Sequence, residues 1–380
     1  MNTHQLSLEL ATGSPAPAAV TVGLLFGGRS AEHAVSLRSA ATIHAALRAA
    51  GFWVVPIGVA CHGTWHCMPL GCAPFPAAVD ERAGAVTLGP GGGGQLLPCA
   101  PAEAANDLPR VDVVFPALHG PFGEDGAVQG LLETCGVPYV GADVLGGALT
   151  MDKEFTKRLL LQAGLPVVPY RVHRRGEPLP DWTRLSDALG PRLFVKPAAL
   201  GSSIGAGPAD DAASLAAAVR EALAHGDKVL VERRIEGREL ECGVIDSEDG
   251  PIASVVGEIT TSPGFAFYDY EAKYLAEHGA RLDVPARLDE ATATRLRELA
   301  RDAFDALGCR DLARIDFFLD ERGQPFVNEV NTLPGFTSIS LFPRMFEATG
   351  IPLPQLVTRL VERALARSRS DNHGDATAGR

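Results

Sequence analysis

The stretch Leu312–Leu341, LARIDFFLDERGQPFVNEVNTLPGFTSISL, decides the reading. Its first half alternates. Arg314 and Asp316 fall on one face, and Ile315, Phe317 and Leu319 on the other. The polar break Asp320-Glu321-Arg322-Gly323 and a second short run, Pro325–Val330, complete a β-hairpin pattern. With Arg322-Gly323 as the tip, Asp316 opposes Glu329 and Arg314 opposes Asn331. Residues two apart share a face, so the four polar side chains lie together.

Like charges opposed across two strands repel. A hard divalent cation reverses that interaction, because it takes carboxylate and amide oxygens together with substrate phosphates. Asp316, Glu329 and Asn331 offer that donor set. The other reading is a solvated face carrying an Arg–carboxylate pair, and alternation alone leaves both open. The turn Leu333-Pro334-Gly335 favours the cation, because it brings backbone N–H groups beside the charged face.

With 380 residues, the chain has room for two or three domains with full cores. A net charge of −12 argues against a nucleic-acid binder, so any anionic ligand must be met by local positive charge. Among 34 basic residues, lysines stand only at 153, 157, 196, 228 and 273, so each compact ammonium merits a closer look. Seven cysteines, an odd number, exclude a complete disulfide framework. The start of the chain lacks a basic segment followed by an apolar run, and no uncharged run is long enough to span a bilayer. A reducing cytoplasm is the expected location, with no membrane partner.

The first 19 residues read as a loose tail. Val20–Phe26 reads as a buried strand. Ser30 is the expected cap of a helix carrying Val35, Ile43 and Leu47, and Phe52–Val59 follows as a second strand, the opening of a parallel α/β sheet. Glu32 then sits in a first helical turn at a strand's carboxyl end, where ligands gather in such sheets; a dipole-complementing Glu is the plainer account. Cys61–Cys99 has no paired Cys-x-x-Cys spacing and reads as hairpin and loop rather than zinc. Val111–Leu118 is a strand that delivers His119-Gly-Pro-Phe-Gly-Glu-Asp-Gly126, a glycine-rich loop open to close approach by a ligand. Val137–Val140 reads as a short strand and Gly141–Gly147 as a boundary. A helix over Met151–Ala163 carries Lys153 and Lys157. Lys196 opens the Gly/Ser loop Lys196–Gly205, which is not a P-loop but suits phosphate through free N–H groups, hydroxyls and an ammonium. Glu232 ends a strand over Lys228–Arg233, and Glu239 opens the next. An aromatic loop, Gly264–Leu275, carries Lys273 and reads as a lid. The last helix is expected over Pro354 to about Ala366.

Taken together, these motifs resemble the D-alanine–D-alanine ligases of the ATP-grasp superfamily, from about Val20 to Ala366. The markers are Gly27–Ser36, His119–Gly126, Met151-Asp-Lys153, Lys196–Gly205, Tyr268–Tyr274 and Arg314–Leu341, in that order. The resemblance implies an α/β and α+β, three-domain ATP-grasp fold with a Rossmann-like parallel sheet at the N-terminus. The domains implied are 20–147, 148–230 and 231–367, with flexible tails at 1–19 and 368–380. It further implies that Lys153, Lys196 and Lys273 touch ATP phosphates, and that Glu232, the backbone of Ile235, and Glu239 hold adenine and ribose. Asp316, Glu329 and Asn331 would bind two Mg²⁺, with Mn²⁺ as a substitute. Glu32 would hold the ammonium of the first D-alanine in a set with Ser202 and Tyr274, with His119 nearby. Ser340 and Leu341 would position the second D-alanine, and Arg314 with the N–H of Gly335 would form an oxyanion hole. The implied assembly is a homodimer.

Three rivals stand beside this reading. A D-alanine–D-lactate or D-alanine–D-serine ligase of the same family is disfavoured by Tyr274 in Tyr-Glu-Ala-Lys-Tyr. A non-catalytic nucleotide-binding protein is disfavoured because all the motif charges are present. The third is another ATP-grasp carboxylate–amine ligase. The residues Pro197-Ala198-Ala199-Leu200 and Arg233-Arg234 depart from the commoner family pattern.

Overall fold

The structure, a computed structural model, describes residues 20–72, 74–99, 108–261 and 280–378, with side chains up to residue 369. Among the described residues the chain forms three sheets in sequence. The first contains β1 (Thr21–Gly27), β2 (Trp53–Val59), β3 (Trp65–Cys67), β4 (Ala85–Leu88), β5 (Leu96–Pro98) and β6 (Val113–Ala117), in the order β5-β4-β3-β2-β1-β6. β1 pairs in parallel with β2 and β6, while β3 to β5 extend the sheet antiparallel. The expected parallel sheet is therefore parallel only over the half formed by β2, β1 and β6. The Cys61–Cys99 region supplies the antiparallel strands.

Glycine is required where β1 ends. Gly27 has φ +92, and a Cβ there would stand 2.4 Å from the Val59 carbonyl oxygen. The chain then turns into α1 (His33–Ala49), whose buried Ser36 accepts a hydrogen bond from the Gly27 N–H (2.7 Å) and donates to the Ala117 carbonyl. One hydroxyl thus ties the carboxyl ends of β1 and β6 to the helix. Ser30 is not the helix cap. Its Oγ donates to His119 O and accepts from the Glu32 N–H, and the helix starts after Glu32 with no side-chain cap. The Glu32 carboxylate is therefore not spent on capping.

Three helices follow β6: α2 (Ala127–Cys135), α3 (Val144–Met151) and α4 (Lys153–Gln162). Val137–Val140, expected as a strand, makes only an isolated bridge between Tyr139 and Val114. The Gly141–Gly147 boundary enters α3, because Asp143 caps the amide of Gly146 and permits a helix there. The second sheet, antiparallel throughout, has the order β7-β10-β8-β9, from β7 (Tyr170–Arg174), β8 (Leu193–Pro197), β9 (Gly207–Ala209) and β10 (Lys228–Arg233). Helices α5 (Trp182–Leu189) and α6 (Ala212–Ala224) pack their Leu185, Leu189, Leu215 and Val219 into its core. The third sheet is also antiparallel, with the order β13-β12-β11-β14-β15, from β11 (Gly237–Ile245), β12 (Ile252–Thr261), β13 (Ala280–Asp283), β14 (Leu312–Asp320) and β15 (Pro325–Asn331). Helix α7 (Glu290–Ala306) covers one face through Leu296, Ala300, Ala303 and Phe304.

The decisive hairpin is β14–β15, with one revision. Its turn has three residues, Glu321-Arg322-Gly323, closed by Gly323 N–H to Asp320 O (2.9 Å), with Gly323 at φ +76. Next to the turn, Phe317 pairs with Val327 and Phe318 with Phe326, one step away from the expected register. A bulge at Asn328 restores the step, so Asp316 does oppose Glu329 and Arg314 does oppose Asn331.

After the hairpin, α8 (Leu341–Ala348) and α9 (Leu353–Ala378) return to the first sheet. Phe336, Phe342, Phe346, Leu356, Leu360 and Val361 join Leu24, Phe26, Ile43, Leu47 and Phe115 in one core, so the end of the chain completes the core of its beginning. The expected end of α9 near Ala366 is passed by several turns.

One polar latch accompanies this return. Asp311, fully buried, accepts the Gly141 N–H (2.8 Å) and an Arg367 N–H, while Arg367 also donates to Tyr139 O (2.8 Å). Arg367→Ala removes the cation and leaves a buried carboxylate. Breaking such a pair costs about 3 kcal/mol. Thermal melting of the variant should show a midpoint lower by several degrees, and an unchanged midpoint would show that the latch contributes no stability.

Candidate active site

A crevice of about 400 Å³ opens between the second and third sheets. Its floor is β14 and β15, which present Asp316, Phe318, Asn328 and Glu329. Its opposite wall carries Lys196 and Glu232, the connection after β10 brings in Ile235, Glu239 stands on β11 beside Phe318, and the loop Leu200–Ile204 overhangs the crevice. A much smaller pocket adjoins it, lined by Gly120, Glu124, Thr150, Gly201, Asn331 and Thr332. Lys153, Gly201 and Glu329 border both cavities. The Lys153–Glu329 ion pair (3.3 Å) therefore stands at the junction.

Positive charge is concentrated here despite the acidic chain. The Lys196 ammonium donates to Asn328 Oδ1 (2.9 Å) and pairs with Glu232 Oε2 (2.9 Å). Lys153, in the first turn of α4, also donates to the Leu200 carbonyl (2.8 Å), and its backbone N–H bonds Ala198 O (2.9 Å). The Ala198-Ala199-Leu200 departure is thereby accommodated: the loop is held through its backbone carbonyls, which any residue supplies. Ser202 and Ser203 then take φ +54 and +57, a left-handed pair that turns the loop back toward α1. There the Ser202 hydroxyl donates to Glu32 Oε1. On the other side of Glu32, Gly120 comes so close that a Cβ would lie 3.0 Å from Oε2.

On the floor, Arg314 forks Asp316 with two hydrogen bonds of 2.7 Å and also lies 3.2 Å from Glu241. Burial alone would lower its pKa, but Asp316 and Glu241 hold it well above its already high usual value. Asn331 Nδ2 donates to Asp316 (3.0 Å). Asp316, Glu329 and Asn331 are thus gathered as expected, with Arg314 and Lys153 balancing the two carboxylates. The donor set, two carboxylates and an amide, fits a hard cation; as a ligand Asn331 would present Oδ1. Among the described residues no group of three His, Cys, Asp or Glu side chains comes together as a metal site.

Other expected residues play more internal parts. His119 is buried. Its Nδ1 meets Leu333 O (3.0 Å) and its Nε2 the Ser39 hydroxyl (3.0 Å), and burial lowers its pKa. It braces the site as a neutral imidazole. Ser340 precedes α8, and its Oγ accepts the Thr337 N–H (3.0 Å) and lies against Gly335. The Leu341 side chain is core, packed near Ile259 and Met345, so only its backbone is available to a ligand. Lys273 and Tyr274, with the expected lid, lie outside the described residues.

Four residues of the site were given no role by sequence reasoning. Asn328 enters the crevice beside Glu329 because of the bulge, which alternation does not reveal. Glu241 opposes Asp316 across β11–β14, and the alternation Glu239-Leu240-Glu241 was a usable signal. Lys157 lies buried behind Glu232. Glu124, within the His119 loop, accepts from the Gly120 N–H (2.6 Å) and the Leu333 N–H (3.3 Å). Burial, and then the charge of Glu32, push its pKa up to about 8.

The three sheets with a lysine-lined crevice between the second and third define an ATP-grasp architecture. A family model described as D-ala D-ala ligase N-terminus matches residues 21–142, and one described as D-ala D-ala ligase C-terminus matches residues 159–362. The chain belongs to the D-alanine–D-alanine ligase family. It is 46% identical over 351 residues to the D-alanine–D-alanine ligase A of Pseudomonas putida, covering 92% of this chain and 98% of that one. It is 49% identical to the D-alanine–D-alanine ligase of Nocardia farcinica, with the same coverage. Among solved structures it is similar to the D-alanine–D-alanine ligase of Coxiella burnetii (TM-score 0.82, 32% identity, 94% of this chain and 97% of that one). It is also similar to the VanG D-Ala:D-Ser ligase of Enterococcus faecalis (TM-score 0.79, 32% identity, 91% and 100%).

The raised pKa of Glu124 has a consequence for stability. Between its ordinary value of 4.5 and about 8, the folded chain holds a proton that the unfolded chain releases. Its contribution to stability is full below the lower value and is lost as pH rises through the upper one. Glu124→Gln keeps the shape and removes the titration. Melts of the ligand-free protein should fall less steeply with pH across that window in the variant than in wild type. Parallel profiles would place the Glu124 pKa in the ordinary range.

Proposed function

We infer that this chain is an ATP-dependent ligase that joins two D-alanines into D-alanyl-D-alanine, releasing ADP and phosphate, for peptidoglycan precursor synthesis. The observation that carries this is the meeting of two cavities at Lys153 and Glu329, one large with three lysines in or behind its walls, one small and next to Glu32. A nucleotide in the first would present its terminal phosphate to an amino acid in the second. Kinship favours D-alanine as acceptor: the relatives at 46–49% identity are named D-alanine–D-alanine ligases, whereas the D-Ser ligase structure is 32% identical.

The reading proceeds in two steps. The carboxylate of the first D-alanine attacks the γ-phosphate of ATP, and ADP leaves. The amine of the second D-alanine then attacks the carbonyl of the resulting D-alanyl phosphate, loses a proton, and phosphate departs. Neither step needs an enzyme nucleophile, so positioning and charge balance are what the protein supplies. Lys153 and Lys196, with Lys273, hold phosphate oxygens, and Glu232, the backbone of Ile235, and Glu239 hold adenine and ribose. Glu32, oriented by Ser202 and joined by Tyr274, holds the first ammonium, and His119 braces the loop beside it. Ser340 and the backbone of Leu341 orient the second carboxylate. Arg314 and the Gly335 N–H stabilise the carbonyl oxygen as it gains charge. Asp316, Glu329 and Asn331 would hold two Mg²⁺, or Mn²⁺, which supply charge neutralisation at the phosphates when bound.

The same reading takes 20–147, 148–230 and 231–367 as the domains, with the second boundary falling inside β10 of the second sheet, and the active form as a cytoplasmic homodimer. Among the described residues no helix is long and apolar enough to cross a membrane.

The direct test is D-Ala-dependent release of phosphate from ATP with Mg²⁺, with L-Ala as control. Glu329→Gln should lower kcat on the order of a hundredfold and raise the Mg²⁺ needed for half activity, with an unchanged fold by circular dichroism. Near wild-type turnover in that variant would remove Glu329 from the metal set. Product analysis with mixed D-Ala, D-Ser and D-lactate should give the D-Ala dipeptide; predominant depsipeptide or D-Ala-D-Ser would assign the acceptor to one of the rivals.

A further inference from the structure

Lys157 has no part in the two steps above, yet it is among the most buried charges in the chain. It lies on α4, one turn after Lys153, with no exposed surface, and its ammonium stands 3.1 Å from Glu232 Oε1. The other oxygen of Glu232 holds Lys196 at 2.9 Å. One buried carboxylate therefore joins two ammonium groups, one in the crevice wall and one behind it. The groups facing Lys157 are Glu232 from β10, Lys196 from β8, Lys153 from its own helix, and the ring of Tyr170 from β7 at 5.7 Å. Lys157 and Glu232 are both buried, so water does not screen the charge of this pair.

We propose that Lys157 is a positioning residue for the nucleotide, keeping Glu232 charge-balanced so that Lys196 can leave it for a phosphate oxygen. This rests on the reading of the crevice as an ATP site. A lysine that meets a phosphate must give up its resting partner. If Lys196 were the sole cation on Glu232, its departure would strand a buried carboxylate, which is costly. Lys157 is fully buried and does not line the crevice, so it stays on Glu232 and makes the exchange cheap. Glu232 then remains ionised, an acceptor on the crevice wall able to meet an exocyclic amino group such as that of adenine. In support, burial alone would raise Glu232, whereas Lys157 and then Lys196 hold it below the usual carboxylate range. Burial also brings Lys157 down to about 8.

The test compares ADP binding by calorimetry and steady-state kinetics for wild type, Lys157→Met, Glu232→Gln and the double variant, with thermal melts to confirm folding. Lys157→Met should raise the ADP Kd and the KM for ATP by roughly tenfold, the scale of one charge-assisted contact, and leave the KM for D-Ala unchanged. In the Glu232→Gln background the same change should have little further effect, because no carboxylate remains to be stranded. Lys157→Arg should restore part of the affinity. Wild type offers an arm that needs no substitution: ADP affinity should weaken as pH rises through about 8, and this weakening should be absent in Glu232→Gln. Equal ADP affinity in wild type and Lys157→Met, additive losses in the double variant, or a flat wild-type pH profile would overturn the proposal while leaving the ATP site standing. Wild type that binds no ADP would overturn both.

Discussion

The charge balance at the crevice floor is the constraint that the rest of the structure serves. Asp316, Glu329, Glu241 and Glu232 are drawn into a partly buried space, where unpaired carboxylates are costly. They stay there because Arg314, Lys153, Lys196 and Lys157 are interleaved with them. Some partners share a sheet and others do not. Arg314, Asp316 and Glu241 belong to the third sheet, Lys196 and Glu232 to the second, and Lys153 and Lys157 to the helix that precedes it. The Lys153–Glu329 pair and the hydrogen bond from Lys196 to Asn328 reach the third sheet from α4 and β8, so they also tether these elements. The site cannot be assembled unless both sheets are placed correctly; the shared core of α1, α8 and α9 and the Asp311–Arg367 latch hold the third sheet to the first.

A site balanced by its own side chains is one in which ligands act by exchange. Arg314 occupies both oxygens of Asp316, Lys153 occupies Glu329, and Lys196 occupies Glu232. A phosphate entering would compete for the ammonium groups, and a cation would compete for the carboxylates. On the proposed reading the two substitutions would compensate each other, and an anionic nucleotide would bind together with a metal more cheaply than either alone. The resting pairs also keep the floor in shape before ligands arrive, which is preorganisation in the electrostatic sense.

Much of this was legible in the sequence, and the hairpin shows both why and how far. The alternation in Arg314–Leu319 marked a strand with one wet face, and the facing pairs were identified correctly. That success came through two offsetting differences, a three-residue turn in place of two and a bulge at Asn328. Register is set by hydrophobic alternation over several residues, so a local count at the tip could err without moving the buried face. The bulge itself was invisible, because alternation on both sides of it looks regular, and Asn328 was missed with it. The same limit explains Ser30: the sequence suggested a cap, but the hydroxyl was taken by His119 O, a partner 89 residues away. The short segment Val137–Val140 looked like a strand by propensity and found only one neighbour to bridge. Long-range partners, not local preference, decided each of these cases.

The scarcity of lysine gains its physical sense from the same geometry. All four described lysines meet carboxylates: Lys153 at Glu329, Lys157 and Lys196 at Glu232, and Lys228 at Asp152 and Glu154. An ammonium is a compact charge without a fixed fork, so it can turn from a carboxylate to a phosphate by rotating a flexible stem. Arginine, planar and matched to two oxygens at once, suits the pairs that hold, as on Asp316, Asp311 and Glu258. In a chain whose cations are nearly all arginine, the proposed reading makes the crevice lysines the charges that change partners, with Lys157 as the one that stays behind to permit the change.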